Sequence, residues 1–451
     1  MRNDLRTLVF AATAATIGCG DSGGRDDGGA SASAGLTLTA GSTSITGTVS
    51  ASASTSDSGS GSASDSADPT EGVTSGVTTN SSGDSSGVKF DLGAVPDAGM
   101  ACGPGGEPDF SYIWVANSTQ GTISKINTVT LVEEGRYIVR PDQNGSPSRT
   151  SVSLTGDVVT ANRSGGITKV YARPERCQET NGMPGIQTAT DGNFLPWGVE
   201  ECVAWHTPMA YESQRPVAWT QGTFNKGTCQ WENQKVWTSG NNGADGQLDV
   251  LLVNGDTGAI EATVNVQGIT PDFYGIYGAA VDGQGNFWGS QLSQGHLVFI
   301  DIQTLQYKVW PMAAPGYGMT VDSKGYVWTC NSAASRFDPM TESWQTAQVG
   351  GSGGCMEDGK GTLYMSGGGN NIVAVDAETL QIKDTIPVPN YVHGVSIDFY
   401  GYVWGVSYNQ PDAYRVDPVT KEMQTFSGLV GPYTYSDMTG FALSNAGTPT
   451  G

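Results

Sequence analysis

Four segments in the second half of the chain restate one another. They read VDGQGNFW (residues 281–288), VDSKGYVW (321–328), MEDGKGTLY (356–364) and IDFYGYVW (397–404). Their aspartates Asp282, Asp322, Asp358 and Asp398 stand 40, 36 and 40 residues apart. A period near 40 holding several short apolar runs is the length of one four-stranded propeller blade. Asp-x-x-Gly is tight-turn chemistry: the carboxylate accepts backbone N–H bonds, and glycine supplies a positive φ. The aromatic three residues past each glycine (Trp288, Trp328, Tyr364, Trp404) falls on the next strand, placed to pack between blades.

A second turn closes each unit, an Asp-x-x-Thr at Asp301, Asp338, Asp376 and Asp417. Fainter copies run backwards along the chain. Asn127 with Thr130, and Asn254 with Thr257, read as the same outer turn. VSLTGDVVTANR (152–163) followed by GGITKVY (165–171) reads as a blade with a shortened inner turn, and RPVAWTQ (215–221) with KVWTSG (235–240) as two more strands. The first blade, from SYIWVANS (111–118), lacks an innermost strand, and DMTGFALSN (437–445) has that strand's pattern without a blade of its own. The fold expected is all-β, a seven-bladed propeller over 111–445, closed in blade one by a C-terminal strand that removes exposed sheet edges. Residues 446–451 are a tail.

The N-terminus gives an address. MRNDLR is followed by about twelve apolar residues, too few to span a bilayer, which marks 1–18 as a signal peptide. Residues 19–88 are almost wholly Ser, Thr, Gly, Ala and Asp, a composition that cannot offset its chain entropy and reads as a disordered tether. Residues 89–110 join tether to ring. A net charge of −22 argues against nucleic acid as a partner, because phosphate binding needs a basic face.

Besides Cys19 there are six cysteines, an even number that suggests disulfides in an exported chain. Cys330 and Cys355 fall on neighbouring blades and are the first expected pair; Cys177 with Cys202 is the second, and Cys102 with Cys229 follows by elimination. Three of the six lie in a stretch from 172 to 230 that interrupts blades two and three. Within it CQETNGMPGIQT (177–188) is a damaged copy of a calcium-wrapping loop, with Glu179 and Asn181 at the first and third ligand positions. A disulfide-closed structural loop is the expectation there, and His206 nearby is read as a packed residue.

Three resemblances add to this. Thr16-Ile17-Gly18-Cys19 resembles a bacterial lipobox, which implies lipidation of Cys19 and anchoring in the outer membrane or on the surface. The blade pattern, above all VHGVSIDFYGYVWGVSYN (392–409), resembles the virginiamycin B lyase and NHL-type propellers. Those lyases open a cyclic depsipeptide by elimination with inner-strand histidines, a glutamate and magnesium. His393 falls where such a histidine would, but Ser407 stands where they carry the metal-binding glutamate, and the preceding blade offers Gly350 to Cys355 with no histidine. The whole chain also looks like the propeller lipoproteins of myxobacteria.

Aligning blades on their turn glycines puts one residue per blade at the level of His393 at the channel mouth: Tyr277, Tyr317 and Gly353, then Ser148, Arg215 and Thr439. Arg215, Tyr277, Tyr317 and His393 suit an anionic or hydroxyl-rich ligand or a peptide terminus. With no carboxylate in the set, no metal cofactor is expected there; calcium at Glu179 and Asn181, or magnesium at a lyase-like site, are the exceptions to test. The functional expectation is a lipid-anchored, non-catalytic binding or scaffold module for a protein, peptide or glycan. The alternative is a lyase-like enzyme with an altered site near His393.

Overall fold

A computed structural model describes residues 111–448 apart from 244–246, 271 and 294. The expected signal peptide, tether, joint, Cys19 and Cys102 lie outside the described residues. Seven antiparallel sheets follow one another along the chain, six of four strands and one of three. In blades two to seven the innermost strands are Pro147–Val152, Ser213–Trp219, Ile276–Val281, Gly318–Val321, Cys355–Glu357 and Val392–Ile397. The expected seven-bladed propeller is the fold.

The repeat works through the turn aspartates. In blade seven Asp398 accepts the backbone N–H of Tyr400 and Tyr402 on one oxygen and the indole N–H of Trp404 (2.8 Å) on the other. Asp322 does the same for Lys324, Tyr326 and Trp328, and Asp282 for Gln284, Asn286 and Trp288. Each aspartate thus fixes a turn and pins the tryptophan it sets on the next strand. In blade six Tyr364 replaces tryptophan, and Asp358 keeps only the amides of Lys360 and Thr362. Blade two differs from expectation: its inner turn is not shortened, because Ser153 stands where the aspartate would and accepts from Thr155 and Asp157 N–H.

Outer turns repeat as closely. Asp301, Asp376, Asp417, Asn127 and Asn254 each accept the amides two and three residues on. The residue after each threonine is left-handed: Leu131, Leu305, Glu342, Leu380 and Lys421 have φ between 53° and 65°, and Gly258 has 73°.

Blade one is the three-stranded sheet, Tyr112–Asn117, Thr122–Asn127 and Glu133–Ile138. The 437–445 stretch expected to complete it is not a strand: Phe441–Asn445 is a short helix, α1, entered through Gly440 at φ 86°. The chain just before it lies along blade one instead. Ser118 N–H donates to Gly431, Tyr433 N–H to Ala116 and Trp114 N–H to Met438. Apolar side chains of blades one and seven share one cluster, with Ile113, Val115 and Ile126 against Trp404 and Val406.

The stretch 172–230 is not one insertion. It contains blade two's outer strand Val203–Thr207 and blade three's inner strand Ser213–Trp219. What remains is a long outer loop in blade two and a small hairpin, Thr223–Asn225 with Gln230–Glu232, where blade three's inner turn would be. Disulfides Cys177–Cys202 and Cys330–Cys355 form as expected. Such bonds mark a chain that folds in an oxidising compartment, extracellular or periplasmic. Among the described residues no helix is long and apolar enough to cross a membrane.

Candidate functional site

Every innermost strand begins at the same end of the channel, and there the repeats stop agreeing. Tyr277, Tyr317, Tyr433 and Tyr435 are buried together, with Tyr274, Leu292 and Tyr408 half-buried around them. The hydroxyls of Tyr277, Tyr317 and Tyr433 form a triangle, 3.0 Å between the first two and 2.8 Å from Tyr277 to Tyr433, closed by a short bond between Tyr317 and Tyr433.

His393 joins through both nitrogens, Nε2 2.9 Å from the Tyr317 hydroxyl and Nδ1 3.1 Å from that of Tyr391. Burial pushes its pKa down to about 3, with Arg149 and Arg163 adding to the effect. The imidazole is therefore neutral at physiological pH, and both nitrogens are engaged by phenols.

Of the four residues read as ligand candidates, all meet here. Arg215 Nη1 lies 3.4 Å from the Tyr277 hydroxyl, with its guanidinium 4.5 Å from the Tyr274 ring centre. A bulge explains the aim of two others: pairing slips between Ile276 and Gly278 and again between Val392 and Gly394, so Tyr277 and His393 are the extra residues on their strands. Gly353 has no side chain to offer, and a Cβ there would sit 2.4 Å from the His393 carbonyl oxygen. Ser148 is the bulged residue of blade two and is fully buried. Thr439 is misplaced by the alignment: it lies past Asp437, and its hydroxyl donates to the carbonyl of Ile397, at the far end of that inner strand. Tyr433 and Tyr435 take blade one's place.

Two arginines escaped the sequence reading. Arg149 occupies a register position that is glycine in blades four to seven (Gly278, Gly318, Gly354, Gly394). Those glycines allow close approach; a Cβ on Gly318 would sit 2.4 Å from the Gly353 carbonyl. Arg149 instead crosses the channel, its guanidinium 3.6 Å from the Tyr435 ring centre and Nη2 donating to the Tyr317 carbonyl at 3.1 Å. Arg163, on the loop after blade two's second strand, stacks 4.0 Å from the Tyr433 ring centre. Burial would raise the Tyr435 phenol, but Arg149, Arg215 and Arg163 outweigh it and hold it below its ordinary value. The break in the glycine column was the signal that marked Arg149.

The other end of the channel is a different place. A cavity of ≈ 30 Å³ is lined by Ser151, Thr320, Met356, Asp437 and the helix residues Ala442 and Leu443. On the scale where ~10–15 Å³ holds one water, it has room for very few. Asp437 accepts the amides of Thr439, Gly440 and Leu443, and burial pushes it up to about 6.

Blade two's outer loop leaves and re-enters at this second end, joined across its base by Tyr171 N–H to Cys202 O. It packs outward against blade one, with Phe194 bridging to Arg136. The loop and the tyrosine cluster therefore belong to opposite ends of the strands and do not form one surface. The candidate oxygens of the loop are engaged by its own backbone. Glu179 accepts the amides of Asn181 and Gly182, Asn181 Oδ1 accepts that of Met183, and Glu201 accepts those of Thr180, Asn181 and Gln187. Amide hydrogens converge on these carboxylates, closing the loop on itself. His206 is half-buried, edge-on to Trp197 and 2.9 Å from the Thr168 hydroxyl, a packed residue.

No family model matches the chain, and no curated protein matches it. Similar solved structures include virginiamycin B and streptogramin B lyases. The Staphylococcus aureus virginiamycin B lyase is 13% identical, with a TM-score of 0.44 over 64% of this chain and 86% of that one. A streptogramin B lyase is 13% identical, TM-score 0.44, over 65% and 87%. Apo AztD from Citrobacter koseri is 11% identical, TM-score 0.47, over 72% and 97%. Likeness at this level carries no argument about activity.

Proposed function

We propose that this chain is an exported, lipid-anchored propeller that binds a ligand at its tyrosine-lined channel mouth and performs no chemistry on it. The observation that carries the reading is the engagement of His393. A general base must be free to reach a substrate proton and must titrate near the working pH. Here both ring nitrogens are engaged by Tyr317 and Tyr391, and the pKa is pushed down to about 3. Ser407, where a lyase's metal-binding glutamate would fall, is a fully buried strand residue paired with Val392. The anchor would be Cys19 and the tether residues 19–88, which favours a role at the envelope surface with a protein, peptide or glycan partner.

The test is incubation of the full-length protein with a streptogramin B and magnesium, followed chromatographically for ring opening. An intact ring is expected. Ring opening that disappears in His393→Gln would replace the binding module with the lyase-like alternative.

A further inference from the structure

We propose that the channel mouth is an oxyanion site: it takes the carboxylate or phosphate of a small molecule between Arg163 and Arg149. This rests on the reading of that mouth as a binding surface and names its ligand class.

Charge balance is the first argument. Arg149 is 1% exposed, and its Nε and Nη1 have no hydrogen-bond partner among the described residues. Arg163 is half-buried at the rim, and its Nε and Nη2 have none either. No described carboxylate pairs with either guanidinium; the ion pairs of blade two go to Asp157 instead, from Lys169 and Arg176. A buried guanidinium held this way has forfeited several kcal/mol of hydration with only ring faces and one carbonyl in return. Nothing in the fold demands it, since the equivalent residue is glycine in blades four to seven.

Convergence is the second argument. Arg163 covers Tyr433, Arg149 covers Tyr435, and the two rings are 5.2 Å apart. Both guanidiniums act on His393, whose neutrality means it adds no charge of its own. The result is a concentration of positive charge at the channel mouth of a chain whose overall charge is −22. A guanidinium presents a planar fork that matches a carboxylate or phosphate. Half-buried Tyr274, Leu292, Tyr391 and Tyr408 give the rim faces on which an apolar or hydroxylated body can lie. An internal anion does not answer the charge: Arg149 lies on the face of Tyr435 rather than at its hydroxyl, and no hydrogen bond joins them.

The test uses calorimetric titration of the full-length protein with benzoate, phenyl phosphate and neutral benzamide. Benzoate and phenyl phosphate are expected to bind, and benzamide at least ~10-fold more weakly. Arg163→Met should weaken both anions on the order of 10- to 100-fold and leave benzamide unchanged. Arg163 is at the rim, so this variant disturbs the fold least; Arg149→Met should weaken both anions as well. Equal binding of benzamide and benzoate, anion binding unchanged in Arg163→Met, or no binding by either anion would each overturn the site. So would a tyrosinate absorption band at neutral pH that vanishes in Tyr435→Phe, because Arg149 would then be neutralised from within. None of these results bears on the non-catalytic reading, which falls only on ring opening through His393.

Discussion

The two ends of this propeller's channel are made from the same strands yet obey opposite rules. At the turn end one device recurs: a carboxylate accepts two amides and an indole, three times over, at Asp282, Asp322 and Asp398. Each buried charge there is met by donors. At the other end the blades diverge, with tyrosine, histidine, serine, arginine or glycine at one level, and the buried charges are cations resting on rings. The contrast teaches where a repeat protein keeps its individuality. Identical turns hold the blades in place, and the blade ends that differ are released for recognition.

The comparison breaks most readily at the turn end. Asp398→Ala should cost ~3–4 kcal/mol in urea unfolding, since it strands an indole N–H and two amides in the interior. Asp358→Ala, in the blade without an indole, should cost ~1–2 kcal/mol less, and equal losses would deny the tryptophan bond its role. The acid limb of stability separates the ends by sign. His393 has a folded pKa pushed below its unfolded value, so its contribution is full above pH ~6.5 and fades on acidification by ~1.4 kcal/mol per unit. Asp398 and Asp437, both raised to about 6, act the other way: their contribution is full below pH ~4 and is lost as pH rises through about 6. Subtracting the stability profile of His393→Gln from that of the wild type cancels the aspartates. The difference should fall between pH ~6.5 and ~4; a flat difference would mean that the imidazole titrates normally.

At the channel mouth the direction of a substitution reverses. Arg149→Met should raise stability by ~1–2 kcal/mol in anion-free buffer, as replacing unpaired buried charge by apolar bulk does. A loss of that size would mean that the guanidinium is structural. The smallest effect expected is at an outer turn: Leu305→Gly relieves a side chain held at φ 58° and should be worth ~0.5–1 kcal/mol in thermal unfolding. A smaller gain than at Lys421, which has φ 65°, would show that the packing of Leu305 against the core enters too.

Much of the turn end was legible because it repeats. Aspartate spacing located the blades, Asx-x-x-Thr located the outer turns, and blade adjacency paired Cys330 with Cys355. The channel mouth was half legible. Tyr277, Tyr317, Arg215 and His393 fell out of register alignment, since bulges in blades four and seven sit at the same level. Arg149 did not, because the alignment followed the bulged position and not the glycine column beside it. Tyr433 and Tyr435 were missed for another reason. They belong to a segment bonded to blade one by scattered contacts rather than a regular ladder, so no strand periodicity announced them. Thr439 was taken in their place because the Asp437 turn was read as a strand's beginning rather than its end.

That closing segment carries a temporal consequence. Residues 431–438 come after every strand described in the chain, and they bring both the bonds to blade one and two of the four buried tyrosines of the mouth cluster. A chain emerging from the N-terminus onward holds Arg149, Arg163 and Arg215 long before Tyr433 and Tyr435 arrive. Arg163 meets Tyr433 and Arg149 meets Tyr435 only when the first and last blades come together, so joining the ring and finishing the ligand surface are one step of maturation.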